Sequence, residues 1–291
     1  MIQETLDTVV HLALPKGRMQ QGVQELLAQA GIRVSTDARG YRPSLSIPGF
    51  ETKLLKPQNI VEMLGAGSRD FGFAGADWVA EKGVRVIELL DTELDPVRLV
   101  AAAPPGLVES GLAAGSNLVV ASEYETLARN WMSANGVQGS FLRTYGATEV
   151  FPPEDADLVI DNCASGATLR ANNLLIVDEI MCSSTRLYAC PKALEDPAKR
   201  ERIEDFVLSL RSVVQARGRA MLDLNVSSAE LDAVISALSC MREPTISGLH
   251  GQGGYAVRAA VERKALPGMI PLLKARGATD IVISRCEQIV P

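Results

Sequence analysis

The run Asp157-Leu158-Val159-Ile160-Asp161-Asn162-Cys163-Ala164-Ser165-Gly166-Ala167-Thr168-Leu169 decides how this chain is read. Its apolar start reads as a buried strand, which hands Asp161 to a loop of small, hydroxylated and glycine residues. Gly166 and Ala167 let a backbone come close to a phosphate, and successive N–H groups there form an anion-binding nest to which Ser165 and Thr168 add hydroxyl donors. Asp161 can accept hydrogen bonds from sugar hydroxyls. The combination suits a ribose phosphate. Read alone, it is equally a strand-to-helix turn in which Ser and Thr serve as caps.

Upstream, Val9–Leu14 reads as a buried strand and Met19–Ala30 as a helix closed by Gly31, its apolar residues recurring at helical spacing. Lys16-Gly17-Arg18 lies between them. Two cations at the carboxyl end of a strand and the start of a helix stand where open α/β sheets bind anions. An isolated Lys-Gly-Arg is otherwise two solvated charges on a turn. His11, inside the strand, reads as a core residue. Arg39 to Leu55 alternates in short segments broken by Pro43 and Pro48-Gly49, so a hairpin or two short strands are expected. Arg39, Arg42, Lys53 and Lys56 make this part basic within an acidic chain, and a helix follows at Asn59–Leu64. The strand Phe71–Gly75 ends in Gly-Ala-Asp, where Asp77 is either the N-cap of the next helix or a ligand-facing carboxylate.

Val97–Ala103 reads as a strand running into Pro104-Pro105-Gly106. Alternation then restarts with strand 117–121, helix 123–135, strand 141–144 and the strand before the loop. Leu174–Ile180 and Thr185–Cys190 read as strands returning toward the first half, so two α/β halves with a ligand cleft between them are expected. Pro197–Arg217 is a long charged helix with one apolar stripe. Beyond Gly218 the pattern is strand, helix, strand, strand, helix, strand. That order is the split βαβ arrangement of ferredoxin-like modules.

The chain has 291 residues, 47% of them hydrophobic, and a net charge of −6. It is long enough for two or three domains, and its acidity argues against a nucleic-acid surface. No apolar run approaches the roughly 18 to 20 residues of a membrane span, and the first ten residues lack the basic start of a signal peptide, so a cytoplasmic protein is expected. The five cysteines are scattered without Cys-x-x-Cys spacing, which indicates neither a disulfide framework nor a zinc site.

Seven stretches in order, LALPKGRM (12–19), KLLKPQNI (53–60), DFGFAGADW (70–78), ASEYETLAR (121–129), ADLVIDNCASGATLRANNL (156–174), MREPTISGL (241–249) and GATDIVISRCEQIV (277–290), make the chain resemble the long form of ATP phosphoribosyltransferase, the first enzyme of histidine biosynthesis. The resemblance implies an α/β, two-lobed catalytic core like a type II periplasmic binding protein, followed by a C-terminal ferredoxin-like βαββαβ regulatory domain. The implied division is 1–104 with 185–217 for the first lobe, 105–184 for the second and 218–291 for the regulatory domain. It also implies phosphoribosyl diphosphate (PRPP) and ATP as substrates, Mg2+ as cofactor with ligands left open, a homodimer assembling into a homohexamer, and histidine as feedback inhibitor. No nucleic acid or membrane partner is implied.

Carried onto this chain, the resemblance places PRPP on Asp161, Ala164, Ser165, Gly166, Ala167, Thr168 and Leu169, and ATP near Asp77 and Tyr124. Lys16, Arg18, Lys53 and Lys56 become catalytic cations for the departing pyrophosphate. Histidine would meet Asp223, Met241 and Thr245. The chain departs from the family pattern at Glu93-Leu94-Asp95-Pro96-Val97 and at Asn162-Cys163, where an apolar pair is usual. Three other readings share features with this one. A nucleobase phosphoribosyltransferase would carry two adjacent acids where Ile160-Asp161 stands. A solute-binding protein would carry an export signal, and a silent regulatory paralogue would keep the fold while losing individual contacts.

Overall fold

The computed structural model describes residues 8–35, 40–112, 117–251 and 253–290. Its chain divides into two compact units, Met1–Ala28 with Ile32–Asp205, and Gln29–Gly31 with Phe206–Pro291. Arg39, read above as part of the basic segment, lies outside the described residues.

The strands of the first unit are β1 (Val10–Pro15), β2 (Val34–Ser35), β3 (Ser44–Leu45), β4 (Phe50–Leu55), β5 (Phe71–Gly75), β6 (Ile87–Ala103), β7 (Leu118–Ser122), β8 (Gly139–Arg143), β9 (Leu158–Cys163) and β10 (Leu175–Ala189). Eight of them form one sheet in the order β4-β1-β5-β10-β6-β9-β7-β8. β4, β1 and β5 are parallel, as are β8, β7 and β9. Each trio is the sheet of one α/β lobe, and the long antiparallel ribbon β6/β10 joins them in the manner of type II periplasmic-binding-protein folds. The strands read as buried because both faces are covered: Leu12, Leu14, Phe71 and Phe73 in one lobe and Val120, Leu158 and Ile160 in the other are shielded from solvent. Between β4 and β5 the helix Pro57–Gly65 takes its proline in the first turn and buries Ile60, Val61 and Leu64 on one face.

The ribbon is longer than the sequence pattern predicts. β6 begins at Ile87 and runs through Pro96, and β10 is one strand where two were expected. Pairing across the ribbon absorbs the disruption through bulges, and Glu93 and Asp95 adopt left-handed φ of 59° and 48° at two of the irregular positions. The basic segment forms two short strands as expected, but β3 pairs with β2 while β4 joins β1.

Strand direction places the cleft. β5 runs antiparallel to β10, and β9 runs antiparallel to β6. β5 ends at Gly75 beside Thr185, and β9 ends at Cys163 beside Arg98, which itself faces Cys182. The carboxyl ends of the two trios therefore point at each other over the middle of the ribbon.

The second unit contains β11 (Arg219–Ser227), β12 (Thr245–Gly248), β13 (Gly254–Glu262) and β14 (Thr279–Arg285), with helices Leu231–Ile235 and Leu266–Ala275. The sheet order β12-β13-β11-β14, antiparallel throughout, is that of a ferredoxin-like module. Alternation along β11 buries Leu222, Leu224 and Val226 against Met269 and Leu273. The same alternation turns Asp223 and Asn225 to the opposite face.

Candidate functional site

Three segments leave the carboxyl ends of the first trio. β1 delivers Lys16, Gly17 and Arg18; β4 delivers Lys56; β5 delivers Ala76 and Asp77. Gly17 has φ +83°, a left-handed turn that lets the helix Arg18–Gln29 start at once, with Arg18 exposed at its first position. The Lys16 Nζ lies 5.6 Å from the centroid of the Tyr41 ring. Lys56 occupies the N-cap of the helix Pro57–Gly65. Lys53 does not reach this edge: it lies inside β4 opposite Ala13.

The second trio delivers Glu123 and Tyr124 after β7, Thr144 to Glu149 after β8, and the phosphate-type loop after β9. Ala164, Ser165, Ala167 and Thr168 are exposed, while Gly166 and Leu169 are buried. Gly166 takes φ +74° as the N-cap of the short helix Ala167–Ala171, a conformation that favours glycine. The Arg170 guanidinium closes the turn by donating to the Ser165 carbonyl at 3.0 Å.

Asp161 is held well above the usual carboxylate range, pushed up to about 6. Burial is the main cause; the Asn162 N–H, donating to Oδ1 at 2.7 Å, opposes it, and the charges of Glu149 and Glu123 add to it. Burial also raises Glu123, against the field of Lys56 from the opposite trio. That field places a first-lobe lysine near the acids of the second. Glu123 and Glu149 were not singled out in the sequence, because each is an ordinary loop acid until three loops converge. The only advance signal was a position just past a strand's carboxyl end.

Asp77 and Tyr124 are brought together but are hidden, 2% and 1% exposed. Tyr124 OH donates to Asp77 Oδ2 at 2.5 Å, Ser183 Oγ donates to Oδ1 at 2.7 Å, and Asn162 Nδ2 reaches Oδ2 at 3.3 Å. Burial, then the adjacent Asp77 charge, raises the tyrosine hydroxyl far above its usual range. Gly75, not Asp77, is the N-cap of the helix that follows β5. His11 lies away from this edge, on the β1 segment that pairs with Asp70, its Nδ1 3.2 Å from Oδ2.

In the second unit, Asp223, Asn225, Thr245, Ser247, Arg258 and Asp280 line a cavity of about 490 Å³ on the sheet face away from the helices. Arg258 donates to Asp223 at 2.6 Å and Asn225 to Asp280 at 3.0 Å. Met241 does not line it; its N–H donates to the Ala260 carbonyl beside β13.

Residues 56–212 match the family profile described as ATP phosphoribosyltransferase, and residues 216–288 match the one described as HisG, C-terminal domain. The chain belongs to the ATP phosphoribosyltransferase family. It is 34% identical to the ATP phosphoribosyltransferase of Chlorobaculum parvum over 280 residues, 94% of this chain and 95% of that one. It is 33% identical to the same enzyme of Pelotomaculum thermopropionicum over 290 residues, 97% of this chain and 99% of that one. Among solved structures, the ATP phosphoribosyl transferase (HisG:HisZ) complex from Thermotoga maritima superposes with a TM-score of 0.64 at 25% identity, covering 71% of this chain and 99% of that one. The enzyme is thus a pentosyltransferase of the first step of histidine biosynthesis. Among the described residues no helix is long and apolar enough to cross a membrane, and no group of three or more His, Cys, Asp or Glu side chains is arranged to hold a metal ion.

Proposed function

We propose that the enzyme transfers the phosphoribosyl group of PRPP to N1 of ATP, releasing pyrophosphate, in the cytoplasm. The observation that carries this reading is the convergence over the ribbon of the Asp161–Thr168 loop from one lobe with Lys16, Arg18 and Lys56 from the other. Breaking the bond at C1 of the ribose builds positive charge on the sugar and negative charge on the departing pyrophosphate. Fixed cations that strengthen their contact as that charge develops accelerate the step, and a loop that fixes the ribose aligns it. In this reading the loop backbone, Ser165 and Thr168 hold the 5-phosphate, Asp161 accepts from a ribose hydroxyl, and Lys16, Arg18 and Lys56 receive pyrophosphate, with Lys53 lending longer-range charge from within β4. Adenine N1 presents a lone pair with no proton to remove, so no general base is needed to begin. Asp77 and Tyr124 act on the ATP side from beneath the surface.

Mg2+ binds through one or two carboxylates and substrate phosphates rather than an all-protein cage. Asp161, or Glu149 and Glu123, whose charges act on it, would supply the one or two carboxylates of that pattern, and the ion would supply charge neutralisation to the diphosphate.

Residues 218–291 are read as the regulatory domain, taking free histidine in the cavity of the second unit. Asp223 and Asp280 suit its ammonium and imidazole, while Arg258 and Thr245 suit its carboxylate. Homodimer and hexamer assembly is supported by β14, an edge strand whose Val282 and Ile283 are 55% and 43% exposed. The test is to mix purified protein with ATP, PRPP and Mg2+. Pyrophosphate with a new absorbing adduct is the expected result; no pyrophosphate would leave the silent-paralogue reading standing.

A further inference from the structure

The helix Ala76–Lys82 begins as soon as β5 ends, and it carries two buried carboxylates one turn apart, Asp77 and Glu81, at 2% and 7% exposure. Both are satisfied by groups from the other side of the cleft or from the ribbon. Asp77 takes the hydroxyls of Tyr124 and Ser183 and the Asn162 amide, while its own N–H donates to Ser183 Oγ at 3.1 Å. Glu81 accepts from the N–H groups of Thr126 and Leu127, both at 3.1 Å. Those two residues open the helix Glu125–Ala134, whose first-turn donors have no partner within the helix. Glu81 therefore caps a second-lobe helix from the first lobe. Between the two carboxylates, the Trp78 ring lies 4.6 Å from the Tyr124 ring.

The arrangement is specific to this pair of elements. A side chain at Gly75 would collide with Asp77 Oδ1, so glycine is needed for the carboxylate to fold back over the start of its helix. Moving the lobes apart would break the hydrogen bonds that Tyr124, Asn162, Thr126 and Leu127 donate to the two carboxylates and would uncap a helix, and hydrogen bonds to a charged group are stronger than neutral ones. Asn162 stands next to Asp161 and its N–H donates to Asp161 Oδ1, so the chain of contacts ends on the ribose loop. The Asn162 Oδ1 atom itself is buried without a partner, as are Gln58 Oε1 and Arg69 Nε among the described residues.

We propose that Glu81 and Ser183 are positioning residues of the transfer reaction. Glu81 ties the first-lobe helix to the second-lobe helix Glu125–Ala134, and Ser183 on β10 holds Asp77 where it meets Asn162 on β9, the strand that carries the ribose loop, so together they set the separation between that loop and the cations Lys16, Arg18 and Lys56. The proposal rests on the functional reading above for the roles of loop and cations. It goes further in making the floor of the cleft a fixed contact instead of a hinge.

Glu81→Ala and Ser183→Ala test it, with Glu81→Gln as the milder variant that keeps one acceptor oxygen and the side-chain shape. Because displacement of about 1 Å can cost on the order of a hundredfold in rate, turnover at saturating substrates should fall by at least about tenfold in the alanine variants. PRPP affinity measured by calorimetry should stay within about threefold, since the loop's own groups are intact. Glu81→Gln should recover part of the turnover. Wild-type turnover in folded Glu81→Ala and Ser183→Ala would overturn the proposal, as would equal losses of PRPP affinity and turnover, which would make these residues merely structural supports. If Glu81→Ala fails to fold, Glu81→Gln and Ser183→Ala decide by the same criteria. A parent protein that releases no pyrophosphate would sink the functional reading, and the latch is then judged by amide exchange. Exchange at residues 164–168 must quicken in Ser183→Ala; unchanged exchange there overturns the latch by itself.

Discussion

Asp161→Asn separates the electrostatics of the site from its chemistry. The Asp161 carboxyl rises from 3.8 to about 6 in the fold, chiefly through burial, and each pKa unit corresponds to about 1.4 kcal/mol between the two protonation states. The ionised form is therefore disfavoured by up to roughly 3 kcal/mol, and partial relaxation and water access bring an expected difference of about 1–3 kcal/mol. Because the folded-state pKa lies above the unfolded one, the stabilising contribution of the protonated form is complete below about pH 4 and is lost as pH rises through about 6. An asparagine keeps the acceptor for the Asn162 N–H and never ionises. The variant should thus match its parent near pH 4 and exceed it at pH 7 to 8, by roughly 3–10 °C in the melting of the first unit. Thermal or urea unfolding across that pH range, followed by the near-ultraviolet signal of Trp78 and Trp131, reads the difference, and PRPP binding should be lost in the same variant. Equal shifts at every pH, or a variant less stable than its parent at pH 8, would refute the account of Asp161 as a buried, disfavoured charge.

For the parent enzyme, kcat/KM for PRPP should climb as Asp161 ionises, with an inflection near pH 6, and Glu149→Gln should move that inflection down by removing a neighbouring negative charge; a flat profile would deny Asp161 its acceptor role. Gly166→Ala forces a side chain into a φ of +74°, so unfolding measurements should show a loss of about 1–2 kcal/mol, and calorimetry should show PRPP affinity at least about tenfold weaker. Lys16→Ala and Arg18→Ala should lower kcat by more than they raise either KM; a change confined to the KM for ATP would move both residues to another role. Asp223→Ala removes a carboxylate from the cavity of the second unit and frees Arg258, so calorimetric histidine binding and histidine inhibition should both disappear. Histidine binding equal to the parent's would place the effector elsewhere.

What could be read from the sequence was what local chemistry dictates. The strand, turn and small-residue loop of 157–169 need only neighbouring residues to form, because a glycine at a left-handed position and an apolar run before it act over one turn. The ferredoxin-like module was equally legible, since strict alternation along β11 and β13 states which face is buried. Other features depended on partners far along the chain. Charged residues and Pro96 interrupt β6 as a local pattern, yet pairing with β10 carries the strand through them. Asp77 reads locally as a helix cap or a ligand-facing carboxylate, but its partner Ser183 is 106 residues away and the residue is buried. Glu123, Glu149 and Lys56 come from three separate loops and acquire a shared field only when strands of opposite direction end face to face over the ribbon. Periodicity and turn residues encode an element and its buried side. Which ends of which elements meet is decided by strand order and direction, and those emerge only when the whole sheet closes around its core.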